Sequence, residues 1–400
     1  MDNKENKTLN VPTLRFREFT DNWKLIPIKK MLRFQNGINA DSTKYGKGIK
    51  YISVSDILNN QYITYGCIKG LIDIDEKTFH KFIVEYGDIL FQRSSETFED
   101  IGRANVYLDK EHSATFGGFV IRGKKISDYN PLFFRYLLCT HNARKQTVRM
   151  GAGAQHYNIG QEGLEKICLY FPCLQEQQKI SDLLSAIDNK IAVQNKIIEY
   201  YESLIKGISN HLLCKIEDCP TIKLSDILIE YNDKARQNNE YPILSSTMNG
   251  IFVQSEYFNK QAASEETVGY KKVPYGYCTY RSMSDTGEFR FNIQKIVEIG
   301  IVSPAYPVFT SVEYDMQFIV FYLNNSARLR KQILEIKEGG TRFALPFSKL
   351  RSLTIPKITR LQQTKIVDIY CLFSRKKELE QRFLLKLKEQ KDYLLSKMFI

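Results

Sequence analysis

The chain has 400 residues, 43% of them hydrophobic, enough apolar matter for two to three domains each with its own core. Lys and Arg outnumber Asp and Glu 57 to 45, a net charge of +12 that points toward a polyanionic partner and is shared by ribosomal, membrane-surface and nucleic-acid-binding proteins. No run of 18 apolar residues occurs, Met1–Asn10 lacks the apolar core of a signal peptide, and the eight cysteines show no CxxC pair or zinc spacing; a cytoplasmic protein with reduced thiols and no membrane span is expected.

In chain order, residues 1–11 read as a disordered lead and 12–165 as a first globular domain, opened at Lys24–Ile28 by a short helical turn. Short aromatic and β-branched runs follow, broken by Gly, Asn and Asp: Lys50–Val54, Phe82–Val84, Asp88–Phe91, Asn105–Leu108 and Gly118–Arg122. One helix, Pro131–Arg144, interrupts them, so the domain is mixed α/β (α+β). Residues 166–219 form a helical spacer. Within it Ile180, Leu184, Ile187, Ile191, Gln194, Ile198, Tyr201, Ile205, Ile208 and Leu212 recur at alternating spacings of four and three, the seam of a long helix that packs on another helix.

The second half repeats the first. Shifted by 186 residues, Leu164, Ile167, Leu169, Gln177, Lys179, Ile180, Leu183 and Ile187 fall without a gap on Leu350, Leu353, Ile355, Gln363, Lys365, Ile366, Ile369 and Phe373. A second domain, 220–354, opens at Ile222–Leu228, carries a helix over Met316–Leu334 and leads into a second helical spacer, 355–400. That spacer continues its seam through Phe383, Leu384, Leu387, Leu394 and Met398. Gly87–Ser94 matches Gly276–Ser282 with one residue deleted, each a strand that follows a turn glycine and ends in Arg-Ser. The glycine loop Gly151–Ile159 is answered by Gly339–Leu345. Two helices of about 40 residues, hence about 60 Å each, are too long to hide in one core, and an antiparallel two-helix coiled coil is the expected arrangement.

No catalytic constellation is legible. The glycine loops lack the Lys-Ser/Thr of a phosphate-binding loop, and the five histidines fall in neither metal-ligand nor Ser/His/Asp order. An amino-methyltransferase signature and helicase motifs are equally missing. What remains suits DNA. Arg93, Ser94, Ser95 and Thr97 end a strand with Arg103 nearby, and Arg281, Ser282 and Ser284 occupy the matching place, followed by Arg290. Arginine can bond guanine O6 and N7 together, Gln and Asn can bond adenine, and Ser, Thr and Lys hold phosphates. Gln155, Tyr157 and Asn158 in the first glycine loop, and Thr341 and Arg342 in the second, carry the same groups where glycine permits close approach. Lys271 is a further candidate. The competing readings are that Arg93 and Arg281 pair with carboxylates of their own domains and that Lys271 belongs to a solvated loop end.

This layout resembles the specificity (S) subunits of type I restriction-modification systems. The resemblance rests on Val11-Pro12-Thr13-Leu14-Arg15-Phe16, on Gln175-Glu176-Gln177-Gln178-Lys179-Ile180 with its copy Leu361–Ile366, and on Gly339-Gly340-Thr341-Arg342. The second copy departs at Thr364, where the first has Gln178, and Lys377 and Glu380 interrupt its seam. The resemblance implies two target recognition domains that each read half of a split double-stranded DNA sequence, and a helical coiled coil that sets the gap between halves. It implies modification (methyltransferase) subunits docked along the helices, with Gln177, Lys179, Ile180, Gln363, Lys365 and Ile366 as candidate contacts, and restriction (endonuclease/translocase) subunits joining that complex. S-adenosylmethionine, ATP and Mg are then expected on the partner subunits, with this chain a non-catalytic subunit. A coiled-coil scaffold whose globular domains bind proteins is the alternative.

Overall fold

A computed structural model describes residues 10–153, 157–257, 266–336 and 343–400. It divides into two compact units, residues 1–195 with 382–400, and residues 196–381, so that each unit holds one globular domain and part of each long helix.

In the first unit four antiparallel strands lie in the order Leu32–Asn36, Val120–Lys125, Ile89–Gln92, Ala104–Val106. The apolar run Ile89-Leu90-Phe91 takes an inner place and is fully buried, as an unbroken apolar strand requires. Gly87, at φ +91°, makes the turn into it, a backbone region that costs glycine least. A second sheet sets Tyr45–Ile52 between Leu71–Ile72 and Thr115–Phe116. Phe82–Val84, expected as a strand, contributes only a single bridge from Val84 to Ala114.

The expected opening helical turn is instead a strand, Lys24–Pro27, because an antiparallel partner exists for it in Cys168–Phe171, just before the long helix. A single 3-10 turn, Ile28–Lys30, follows. The one helix expected over Pro131–Arg144 is two, Pro131–Cys139 and His141–Arg149. Thr140 breaks it: its backbone is extended (ψ 155°) and its hydroxyl accepts the Ala143 N–H, capping the second helix.

The first long helix runs Leu174–Glu217, 44 residues. All ten residues of its expected seam are buried or half-buried, from Ile180 (1% exposed) through Gln194 (4%) to the half-buried Leu212. The last helix runs Arg360–Lys397. Leu387 and Leu394 are buried on its inner face as expected, and Met398, just past its end, is buried too, whereas Phe383 is 52% exposed and falls off that face. The core of the first unit joins Trp23, Phe133 and Phe134 to Ile180, Leu184 and Ile187 of the first long helix and to Leu394, Met398 and Phe399 of the last. Phe399 stacks on Phe133 with ring centroids 5.4 Å apart and meets Trp23 edge-on at 6.2 Å. Asp188 accepts the Tyr136 hydroxyl at 2.7 Å and pairs with Lys391 at 2.6 Å.

The second unit repeats the plan. Its four-stranded sheet has the order Ile229–Glu230, Val308–Thr310, Cys278–Tyr280, Phe291–Ile293. Thr221–Lys223 pairs with Thr354–Pro356 as Lys24–Pro27 does with Cys168–Phe171. The helix expected over Met316–Leu334 is broken at Ser326, whose hydroxyl accepts the Leu329 N–H, the counterpart of Thr140. Leu213 and Ile216 share the core with Phe318, Tyr322, Ile366 and Val367, and Lys377 lies 3.8 Å from Glu202.

Candidate nucleic-acid interface

In the first unit the central strand continues past Gln92 into Ser94–Ser95, which pairs antiparallel with Tyr157–Asn158, Ser94 opposite Asn158 and Ser95 opposite Tyr157. Strand end and glycine loop, 62 residues apart in sequence at the paired Ser95 and Tyr157, thus become one surface. The Arg93 carbonyl accepts the Ile159 N–H at 3.0 Å, and its guanidinium donates to the Gly118 carbonyl at 3.3 Å. Ser94 donates to the Asn158 side chain. Tyr157 lies edge-on to Phe98 at 5.2 Å, covering one side of the loop that carries Thr97 and Arg103. Phe119, 69% exposed, borders the same surface through its carbonyl, which accepts the Arg93 N–H.

The second unit builds the same joint from Met283–Ser284 and Phe343–Ala344, with the Leu345 N–H bonded to the Ser282 carbonyl at 2.9 Å. This pairing corrects the expected alignment. Ile159 bonds to Arg93 as Leu345 bonds to Ser282, and Gly87 turns into its strand as Gly276 does, so the two strands match without a deletion. Ser282 therefore stands where Arg93 stands, and Arg281 takes the place of Gln92. Arg281 is exposed and shares a cavity of about 510 Å³ with Arg290, Ser284 and Asp285. The pairing of Phe91 with Ala104 and of Tyr280 with Phe291 makes Arg103 and Arg290 true counterparts. The Arg290 Nε is buried without a hydrogen-bond partner among the described residues.

Two of the candidate hydroxyls are committed to local turns. Ser95 accepts the Thr97 N–H at 3.2 Å and Ser284 the Gly287 N–H at 3.0 Å, and both residues are only 9% exposed. Thr97 donates to Asp100, and Arg103 pairs with the same carboxylate at 2.6 Å. No ion pair of Arg93 or Arg281 occurs among the described residues. Lys271 lies in a separate strand pair, Lys271–Pro274 with Ile299–Val302, away from the Ser284 joint. Gln155, Thr341 and Arg342 fall outside the described residues.

The residues expected to hold partner subunits divide. Gln177 and Gln363 are 3% and 1% exposed, and their side chains are spent inside their own units. Each carboxamide oxygen accepts an N–H at the start of the shorter helix, from Asn130 (3.0 Å) and Asp315 (2.8 Å), and each nitrogen donates to a carbonyl, of Pro172 and Ile358. Ile180 and Ile366 are likewise buried. These four are core ties, not surface contacts, because the seam that signals a helix interface also serves the domain beneath it. Lys179 and Lys365 are exposed; Lys179 pairs with Glu18.

The sequence reading missed Arg135 and Arg144. Arg144 donates to the Glu99 and Ile101 carbonyls at 2.9 and 2.7 Å, and burial together with nearby Arg103 lowers its pKa. The repeat held the signal, since Arg144 follows Thr140 by one helical turn as Arg330 follows Ser326.

Residues 20–202 match the family model described as the type I restriction modification DNA specificity domain. Among solved structures, a type I restriction-modification system S subunit from M. genitalium aligns over 98% of this chain and 99% of its own, with 15% identity and a TM-score of 0.59. A chain from a type I R-M system solved for its complex assembly and conformational transition aligns over 94% and 97%, with 12% identity and a TM-score of 0.56. Both alignments run over nearly the full length of each chain and show a shared fold. The specificity-domain match thus covers residues 20–202, just under half of the chain, and the second half repeats the same plan.

Proposed function

We propose that each globular domain reads one half of a bipartite double-stranded DNA target and that the helices hold the two readers apart. The single observation that carries this reading is the repeated joint, Ser94–Ser95 with Tyr157–Asn158 and Met283–Ser284 with Phe343–Ala344, which gathers Arg and polar side chains at one equivalent surface in each domain. Arginine without an acidic partner is suited to guanine O6 and N7, and Asn158 to adenine.

The helices act as an antiparallel coiled coil. Asp188 pairs with Lys391 and Glu202 with Lys377, so two heptads forward along the first helix correspond to two heptads back along the second. Modification subunits dock on the exposed faces, where Lys179 and Lys365 remain available while Gln177, Ile180, Gln363 and Ile366 act from within by fixing the helix starts. Methylation of adenine with S-adenosylmethionine belongs to those partners, and ATP- and Mg-dependent cleavage to restriction subunits; this chain supplies recognition in the cytoplasm, where the DNA is.

The test is a domain exchange. Replacing residues 12–165 with the corresponding domain of another specificity subunit should change one half of the methylated sequence and leave the other half and the gap intact. Simultaneous change of both halves would contradict one reader per domain.

A further inference from the structure

Beside the reading surface of the first domain lies a cavity of about 280 Å³ whose wall carries three guanidinium groups, Arg103, Arg135 and Arg144, together with Asn60, Ile57 and Leu138, and no carboxylate. The three come from different elements. Arg103 ends the loop under Phe98, Arg135 lies in the helix Pro131–Cys139 and Arg144 in the helix His141–Arg149. Arg103 pairs with Asp100, whose charge is also felt by Arg144. Arg135 donates to the Asn105 side-chain oxygen at 3.2 Å and Arg144 to two backbone carbonyls, all neutral acceptors, and neither forms an ion pair among the described residues.

Three like charges around one space repel one another, and the single Asp100 carboxylate offsets only part of that repulsion. Guanidinium forks match the oxygens of a phosphate. The loop 97–103 ties this cavity to the reading surface, with Phe98 against Tyr157 on one side and Arg144 on the Glu99 and Ile101 carbonyls on the other. In the second domain the counterparts Arg290 and Arg330 line a cavity of about 290 Å³ whose wall also carries Glu288.

We propose that the Arg103–Arg135–Arg144 cavity takes a phosphodiester of the DNA backbone next to the half-site read by the first domain, setting the register of that domain on the duplex. This rests on the DNA-reading function proposed above. The site contributes affinity without sequence preference, as backbone contacts do.

The intact chain, alone or with its modification subunits, is titrated with two duplexes, one bearing the methylated target and one of scrambled sequence, from 50 to 300 mM salt. Arg135→Gln and Arg103→Gln should each lower the slope of log affinity against log salt by about 0.9, the signature of one lost phosphate contact, and weaken both duplexes by the same factor. Arg144→Lys, which keeps the charge, is the third variant in case loss of the Arg144 bonds loosens the loop; it should keep the slope. An unchanged slope for both Gln variants, with the wild type binding DNA normally, would overturn the assignment and leave the reading function standing. Tight binding of inorganic phosphate by the wild type with no change in the DNA slope would instead make this a small-anion site and also overturn it. Failure of the wild type to prefer the target duplex at any salt would count against the reading function itself.

Discussion

Glu176 is fully buried in the first turn of the long helix, and its charge is held by Arg15, whose guanidinium meets both carboxylate oxygens at 2.7 Å, with the Trp23 indole N–H at 3.3 Å. Removing one partner of a buried pair leaves an uncompensated charge. Arg15→Ala should therefore destabilise the first unit by about 3 kcal/mol, read as a drop in the denaturant midpoint, while Arg17→Ala on the same segment should leave it nearly unchanged. Specificity lives at other residues. Arg93→Ala and Arg281→Ala should each relax the preference at one half-site; equal weakening on every sequence would assign them to the backbone instead. The ungapped register gives the two arginines different neighbours, so they need not read the same base.

At the scale of the element, backbone-committed polar groups set the loops. Asp109 accepts the N–H groups of His112 (2.9 Å), Tyr65 (3.0 Å) and Glu111 (3.0 Å), which hold its carboxyl below the usual carboxylate range, the His112 bond contributing most. A carboxyl with a depressed folded pKa stabilises the fold fully above its unfolded value, about 3.9, and loses that contribution as pH falls through the folded value. Asp109→Ala should cost about 1 kcal/mol at neutral pH, and the gap from wild type should narrow as pH falls below the unfolded value, about 3.9.

The long-helix seam, the two-domain repeat and the central strand were all legible, because each is a periodic or unbroken apolar pattern that burial dictates. The breaks at Thr140 and Ser326 were not, since each hydroxyl interrupts an otherwise helical run by a local cap that apolar periodicity cannot see. The strand Lys24–Pro27 depends on a partner about 140 residues away. The joint that unites Ser94 with Asn158 is equally non-local: the candidate residues could be named from their chemistry, but only strand pairing brings them together. The repeat marks Gln177 and Gln363, but their burial is not legible, because a buried carboxamide and an exposed one look alike in sequence.

At the scale of the whole molecule, the chain is one unit used twice, with both chain ends committed to the first. The Leu14 N–H bonds to the Lys397 carbonyl at 2.9 Å, and Phe399 enters the core beside Trp23. Among the described residues no helix is long and apolar enough to cross a membrane. Duplicated readers on two helices imply that specificity is the product of two half-sites, with the base pairs between them left unread. The most direct measurement is to co-express the chain with candidate modification subunits and map methylated adenines across the host genome. A split motif with a fixed gap is the expected result. A complex that assembles and methylates a continuous motif, or one with a variable gap, would contradict two readers held at a set distance.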